Sequence, residues 1–515
     1  MKTRRTTASV AALVALAVVA SGCGVASRAQ DADTGGSVPS AGGTTQAPAG
    51  PVPTGLEKFY QQKLDWERCG SGTQCATISV PLDYSKPNGE AIELRARKVP
   101  AKDRTGKVGT LFINPGGPGG SGVDFAASAS FVLGAPLLRK FDVIGWDPRG
   151  VGESTPVKCL DTEQLDKVIA TDGSPDNEAE INELETQSKI LADGCEQRSG
   201  NLLPHVSTKD AARDIDVLRG IVGDSELYYL GMSYGTFLGA TYAELFPKNV
   251  GRLVLDGAID PSTTAEENGI AQAKGFDTAL DAFAADCAQN ECRLGSTKAE
   301  VLAAVDKILT ETDANPLPGS GGRDVTQALA VLGVIYPLYN KGLWPRLEEA
   351  VASALTGSGA KLLTLADQFT SREARGYTDN ANEVIYAVNC IDRPDLASVA
   401  QAKAEEAKYE TASPRFGSYL LWGSLTCANW PVKPEDKPRE IKAAGAKPIV
   451  VVGTTRDPAT PYAGAVALAS QLESGVLITR DGDGHTGYNE GNECVDNAVE
   501  SYLLQGTPPT ADLKC

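Results

Sequence analysis

Residues 227–247, "LYYLGMSYGTFLGATYAELFP", join an apolar run to a helical pattern through a turn that holds one serine between two glycines. Leu227 to Leu230 reads as a buried strand, and the segment after Gly235 reads as a helix that Pro247 stops. Between them, Gly231-Met232-Ser233-Tyr234-Gly235 fits G-x-S-x-G, and the chain has no second instance. With 54 glycines and 30 prolines, small glycine patterns arise by accident, so a serine in a plain tight turn is the alternative. The strand–turn–helix context separates the two. In a nucleophile elbow, residues without Cβ flank the serine, and a strained turn lifts its hydroxyl clear of a sheet. The Tyr234 N–H and the helix N-terminus then face a developing oxyanion.

A serine hydroxyl needs a base to act as a nucleophile. The chain has two histidines, His205 in "NLLPHVST" and His485 in "DGDGHTGY". With this elbow the triad runs serine, acid, histidine along the chain. That order selects His485, just after the apolar run Val476 to Ile478, and leaves His205 a structural residue. The acid is expected after the strand before the histidine strand. "IVVVGTTRDPATP" places Asp457 there, where it would hold the imidazole tautomer and stabilise the imidazolium. Asp256, at the end of "VGRLVLD", is the runner-up, and Asp481 and Asp483 lie too close to His485 in sequence. "INPGGPGGSG" offers the second oxyanion donor at Gly116 or Gly117, because backbone amides approach an anion only where side chains are absent. No G-K-[ST] follows, so this is not a phosphate loop.

From about residue 90 the chain alternates strand-like and helix-like runs. "STKDAARDIDVLRGIVG" reads as a helix with Thr208 at its N-cap. Residues 262–430 then read as amphipathic helices, and buried-strand runs resume with "AKPIVVVG" and "SGVLITR". The pattern predicts an α/β fold: one mostly parallel sheet flanked by helices, formed by residues 56–261 and 431–515, with a helical cap inserted at 262–430.

The 515 residues are 42% hydrophobic and carry a formal net charge of -18, which argues against nucleic-acid binding. A basic start and a short apolar run make residues 1–22 an export signal rather than a membrane span. The signal ends in "VASGC", which resembles a bacterial lipobox and makes Cys23 the expected lipidation site. Residues 23–55 are low in aromatics and read as a disordered tether. Export to the outer face of the cell membrane, anchored by lipid only, or outright secretion, follows. Ten cysteines remain: Cys69, Cys75, Cys159, Cys195, Cys287, Cys292, Cys390, Cys427, Cys494 and Cys515. Five disulfides between sequence neighbours are the simplest arrangement in an oxidising compartment. Two histidines and no C-x-x-C leave no zinc spacing, and no metal or organic cofactor is implied.

Taken together, "NPGGPGGSG", "DVIGWDPRGVGES", "GMSYGT", "GTTRDPATP" and "GDGHTGY" resemble the secreted tripeptidyl aminopeptidases of actinobacteria, proline-iminopeptidase-like members of the α/β-hydrolase superfamily. The proline iminopeptidases carry H-G-G-P-G where this chain has Pro115 to Gly119. The resemblance covers most of the chain after about residue 60. It implies Ser233, Asp457 and His485 as nucleophile, acid and base, with Gly117 or Gly116 and Tyr234 as the oxyanion hole. It also implies release of short peptides, tripeptides by the family's pattern, from substrates with free N-termini. Acidic cap groups would hold the substrate ammonium, with Glu266, Glu267 and Asp392 as candidates. A carboxylesterase on the same triad and a non-catalytic binding lipoprotein are the rival readings.

Overall fold

A computed structural model describes residues 52–393, 398–434 and 437–515. The export signal, Cys23 and most of the tether lie outside the described residues. Val52 and Leu56, at the end of the segment read as tether and the start of the core, pack against the cluster that buries Phe59 and Tyr60.

Ten strands form one sheet: β1 (Glu67–Arg68), β2 (Gln74–Pro81), β3 (Ala91–Val99), β4 (Gly109–Asn114), β5 (Phe141–Trp146), β6 (Leu227–Met232), β7 (Val250–Asp256), β8 (Ile449–Arg456), β9 (Gly475–Asp483) and β10 (Leu513–Lys514). Their order is β1-β2-β3-β5-β4-β6-β7-β8-β9-β10. The first three strands pair antiparallel with their neighbours, and β4 to β10 run parallel. The parallel strands read as unbroken apolar runs because both faces are covered. Leu111 and Ile113 of β4 point to one face with Val254, Val450 and Ile478, while Phe112 points to the other with Ile144, Leu253 and Val451. Each such fully buried side chain is worth about 2 kcal/mol over exposure.

Register places the chemistry. Asn114, which leads into the glycine loop, sits opposite Gly231, which leads into the elbow. Arg456 sits opposite Asp483, which sets the loops carrying Asp457 and His485 side by side. The order turns at β4, between β5 and β6. Open α/β sheets bind ligands at the carboxyl ends of strands at such a switch point.

The core helices here include α1 (Thr162–Ala170), α2 (Glu178–Ser199), α3 (Thr208–Ile221) and α4 (Tyr234–Leu245). The N-cap of α3 is Ser207, not the expected Thr208. Ser207 is extended and its side chain accepts from the Asp210 N–H, while Thr208 is the first helical residue. This leaves the Thr208 hydroxyl for another contact, described below. Beside α3, Arg149 of "DPRGVGES" and Asp214 form an ion pair whose side chains are wholly buried. The guanidinium also donates to the carbonyls of Pro81, Leu82 and His205, so neither charge is left unmet. His205 thus contributes a backbone carbonyl to the core.

Between β7 and β8 the chain forms α5 (Ala265–Gln289), α6 (Lys298–Ala314), α7 (Gln327–Leu338), α8 (Trp344–Ala354), α9 (Ala360–Phe369), α10 (Ala381–Asp392), α11 (Val399–Ala412) and α12 (Gly417–Gly423), with two short hairpins. Phe276, Leu280, Phe283, Trp344, Leu362 and Phe416 give the insertion a hydrophobic cluster of its own. Helix α10 is different: Val384, Ala387, Val388 and Ile391 join the cluster of the sheet. The insertion is therefore seated on the sheet partly through α10.

The ten cysteines pair as sequence neighbours: Cys69 with Cys75, Cys159 with Cys195, Cys287 with Cys292, Cys390 with Cys427, and Cys494 with Cys515. Each bridge has a separate task. Cys69–Cys75 ties β1 to β2 at the sheet edge, and Cys159–Cys195 fastens α2 to the loop before α1. Cys287–Cys292 closes the turn after α5, and Cys494–Cys515 holds the chain end and β10 against the last helix. The Cys390–Cys427 bridge ties α10 to the segment after α12 and spans 37 residues. Closing a loop of that length restrains the unfolded chain by about 4 kcal/mol. We expect Cys390→Ala/Cys427→Ala to lose about that much in chemical denaturation. Cys69→Ala/Cys75→Ala, which opens a 6-residue span, is expected to lose about 2 kcal/mol.

Candidate active site

The strand β6 ends in an elbow at Ser233, whose backbone lies at φ 56 and ψ -125. A non-glycine residue in that region is strained by an amount on the order of 1–3 kcal/mol and persists only where its surroundings hold it. The Ser233 N–H donates to the Asp256 carbonyl at 2.9 Å, and its own carbonyl accepts from Thr236 N–H and Oγ1. The flanking glycines supply space rather than unusual dihedrals. A Cβ on Gly231 would sit 2.3 Å from the Gly235 carbonyl oxygen, and one on Gly235 would sit 2.8 Å from Asn114 Oδ1.

Gly116 and Gly117 do different work. The Gly116 N–H already donates to Asn114 Oδ1 at 3.0 Å. Its role is room: a Cβ there would meet the Met232 carbonyl at 2.5 Å and Ser233 Cβ at 2.9 Å. The N–H groups of Gly117 and Tyr234 have no hydrogen-bond partner among the described residues. Gly117 and Tyr234 are therefore the pair available to an oxyanion, and Gly116 is not.

Asp457 is buried at the end of β8, and its carboxylate accepts from His485 Nδ1 at 2.8 and 2.9 Å. The N–H groups of Ala459, Thr460 and Thr486 and the Thr460 hydroxyl also donate to it, which locks its orientation. His485 Nε2 is buried without a partner, and Ser233 Oγ forms no hydrogen bond among the described residues. Serine–base contacts often tighten only when substrate binds. Ser233 and Thr460 line one cavity, and Thr460 Oγ1 lies 3.3 Å from His485 Nδ1, which places the histidine loop beside that wall.

Asp256 does not reach the imidazole. It accepts from the N–H groups of Gly487 and Tyr488, both at 2.8 Å, and so anchors the loop that carries the histidine. Burial pushes its carboxyl up to about 6. The cap holds the same loop from above. The His485 N–H donates to the Tyr339 carbonyl at 2.7 Å, and the Tyr339 ring stands edge-on to the imidazole at 5.2 Å. Burial alone would push the His485 imidazolium down, but the Asp457 charge and hydrogen bond, with Asp256 and Glu490, outweigh it and raise the pKa.

Between sheet and cap lies a cavity of about 370 Å³, floored by Gly117, Ser233 and Tyr234 and walled by Phe276, Tyr339, Tyr386 and Asn389. Of the three acidic candidates, the structure brings one to it. Asp392, at the end of α10, is the one carboxylate on its described lining. It accepts from the Thr208 N–H at 2.9 Å and from the Thr208 hydroxyl, which also contacts the Tyr234 hydroxyl. Glu267 instead closes a capping box with Thr264 at the start of α5, and Glu266 pairs with Lys408. Neither is on the cavity lining. Asp256, Thr460 and Tyr339 are the site residues whose structural tasks the sequence reading missed. Thr460 stands inside the quoted "RDPATP", whereas Tyr339 belongs to no motif and is brought in by the cap.

The geometry gives two expected outcomes. Asp457→Asn is expected to lower kcat by about 10⁴ while leaving the fold intact, because the imidazole loses its tautomer lock. A neutral imidazole is needed as base, so kcat/KM falls as pH drops through a raised pKa. The acid limb is expected above the ordinary histidine value of 6.5. A limb below that value in a pH–rate profile would contradict the geometry.

Comparison with known proteins agrees with this constellation. Residues 109–302 match the family profile described as alpha/beta hydrolase fold, and residues 413–515 match that described as TAP-like protein. A protein named serine protease Hip1, from Mycobacterium tuberculosis, is 36% identical over 477 residues, covering 88% of this chain and 91% of the relative. A protein named carboxylesterase B from the same species is 38% identical over 498 residues, covering 93% and 94%. A tripeptidyl aminopeptidase from Streptomyces coelicolor is 34% identical over 474 residues, covering 88% and 86%. With an elbow serine, a carboxylate-held histidine and relatives that span nearly its whole length, the chain belongs to the TAP-like family of serine hydrolases with the α/β-hydrolase fold.

Proposed function

We propose that the protein is an exported serine exopeptidase that removes short peptides, tripeptides in the first place, from free N-termini. The observation that carries this reading is Asp392: one carboxylate on the wall of a covered cavity whose floor is the nucleophile. A substrate ammonium there would place the peptide backbone across Ser233, and the cap would exclude a chain that continues past its N-terminus.

In this mechanism His485 takes the Ser233 proton as Oγ attacks the scissile carbonyl, and Asp457 stabilises the imidazolium. The N–H groups of Gly117 and Tyr234 take the oxyanion. His485 then protonates the leaving amine, and water, activated by the same imidazole, releases the acyl peptide. The five disulfides and the N-terminal signal support a place outside the cytoplasm, with lipid on Cys23 as the proposed anchor to the outer face of the membrane.

The relative named carboxylesterase B keeps an ester-cleaving reading alive. Reporter amides with free and N-acetylated termini separate the two. Losing a buried ammonium–carboxylate pair costs about 3 kcal/mol, so acetylation is expected to lower kcat/KM about a hundredfold. Asp392→Asn is expected to remove most of that discrimination. Equal rates on free and blocked peptides, with faster turnover of simple esters, would establish the esterase instead.

A further inference from the structure

A second chamber of about 190 Å³ lies beside the catalytic cavity and shares Leu332, Phe369, Ile385, Tyr386, Tyr419 and Gly423 with it. Its far side is built by α1 and α2, through residues such as Leu165, Ile169 and Leu184. No charged side chain lines it among the described residues. Several of its polar groups are already engaged within the protein. Thr171 Oγ1 donates to the Lys167 carbonyl, Thr370 Oγ1 to the Ala366 carbonyl and Asn382 Nδ2 to the Thr370 carbonyl. Gln187 bonds Glu183, and Thr426 bonds Ser188. A polar guest would find few partners there and would be desolvated without compensation. The shared boundary also carries two unusually exposed large apolar side chains, Phe369 at 38% and Ile385 at 37%. Both stand where a guest would cover them.

Helix α10 measures the distance from the amino-terminal anchor. Ile385, Tyr386, Asn389 and Asp392 face the cavity along one side of it. Ile385 at the chamber and Asp392 at the anchor are seven residues apart, about 10 Å at 1.5 Å per helical residue. Three extended residues also span about 10 Å. We propose that the chamber is the subsite for the side chain of the third residue from the free N-terminus, the residue whose carbonyl Ser233 attacks, and that it selects apolar, uncharged side chains. This inference rests on the amino-terminal reading above for its direction along α10.

Gly423 allows a clean test. It closes α12 with an ordinary helical φ of -59, and a Cβ built on it meets nothing within 4 Å. Gly423 lines both cavities and has open space at its Cβ position, so a side chain there is expected to narrow the space they share. The experiment uses the full-length protein and the reporter amides Ala-Ala-Xaa, with Xaa as Ala, Leu, Phe, Glu or Lys, each with a free and an acetylated N-terminus. The wild type is expected to prefer Leu and Phe over Glu and Lys by about tenfold or more in kcat/KM. Moving Leu from the third to the second position is expected to remove the preference. Gly423→Phe is expected to reduce the Leu-to-Ala ratio by about tenfold, and Gly423→Ala by less, with unchanged thermal unfolding midpoints as the check on folding. A flat profile at the third position, or a Leu preference untouched in a folded Gly423→Phe, overturns the chamber. Equal turnover of acetylated peptides with the third-residue preference intact overturns the amino-terminal reading and leaves the chamber as an apolar acyl pocket.

Discussion

The left-handed backbone of Ser233 is the constraint on which the site depends. An L-residue reaches φ 56 only under load, and the load here comes from several directions. Gly231 and Gly235 close to within van der Waals contact of one another and of Asn114, so the turn cannot relax outward. Asn114 is itself fixed opposite Gly231 by strand register, and its side chain binds the Gly116 N–H. The elbow and the oxyanion loop are thus one packed unit, in which the Gly117 and Tyr234 amides are left for the substrate. Cβ-free positions permit this closeness, and the buried parallel strands on either side hold it.

The second half of the site is assembled from far along the chain. The carboxylate of Asp457 collects four donors from its own loop and the histidine loop besides the imidazole, so its orientation is set before any substrate arrives. Asp256 fastens the histidine loop from the sheet side, and the Tyr339 carbonyl fastens it from the cap side. The cap is therefore more than a cover. Its helix α10 packs into the cluster of the sheet and presents Asp392, while α7 ends at a carbonyl bonded to the N–H of His485. A cap joined to the histidine loop in this way helps to fix the position of His485.

The elbow, the histidine and the acid could be read from the sequence because each sits in a short motif at the end of a strand. The strand pattern states the chain order, and two histidines leave little to choose between. The helical insertion was legible for the same reason, since amphipathic helices replace buried strands. The cysteine couples were legible too, because pairs such as Cys287 and Cys292 lie within one turn of chain and need no knowledge of the fold to meet. Other features depended on geometry that local sequence does not carry. Glu266 and Glu267 read as ammonium holders, but a Glu three residues after Thr264 completes a capping box and is spent at the helix terminus. Thr208 read as a cap, but Ser207 takes that task and leaves Thr208 to orient Asp392. The choice of Gly117 over Gly116 turned on one side-chain bond from Asn114. Tyr339 contributes through its carbonyl, a group every residue has, so no sequence pattern could single it out.

That Ser233 carries the acyl peptide during turnover is tested most directly by peptide-mapping mass spectrometry. The protein is mixed with a free-amino tripeptide ester whose acylation outruns hydrolysis, then quenched in acid within milliseconds to seconds and digested. The expected result is a mass increase equal to the tripeptidyl group, confined to the fragment that contains Ser233 and absent in Ser233→Ala. Turnover with no covalent adduct, or an adduct on another residue, would contradict it.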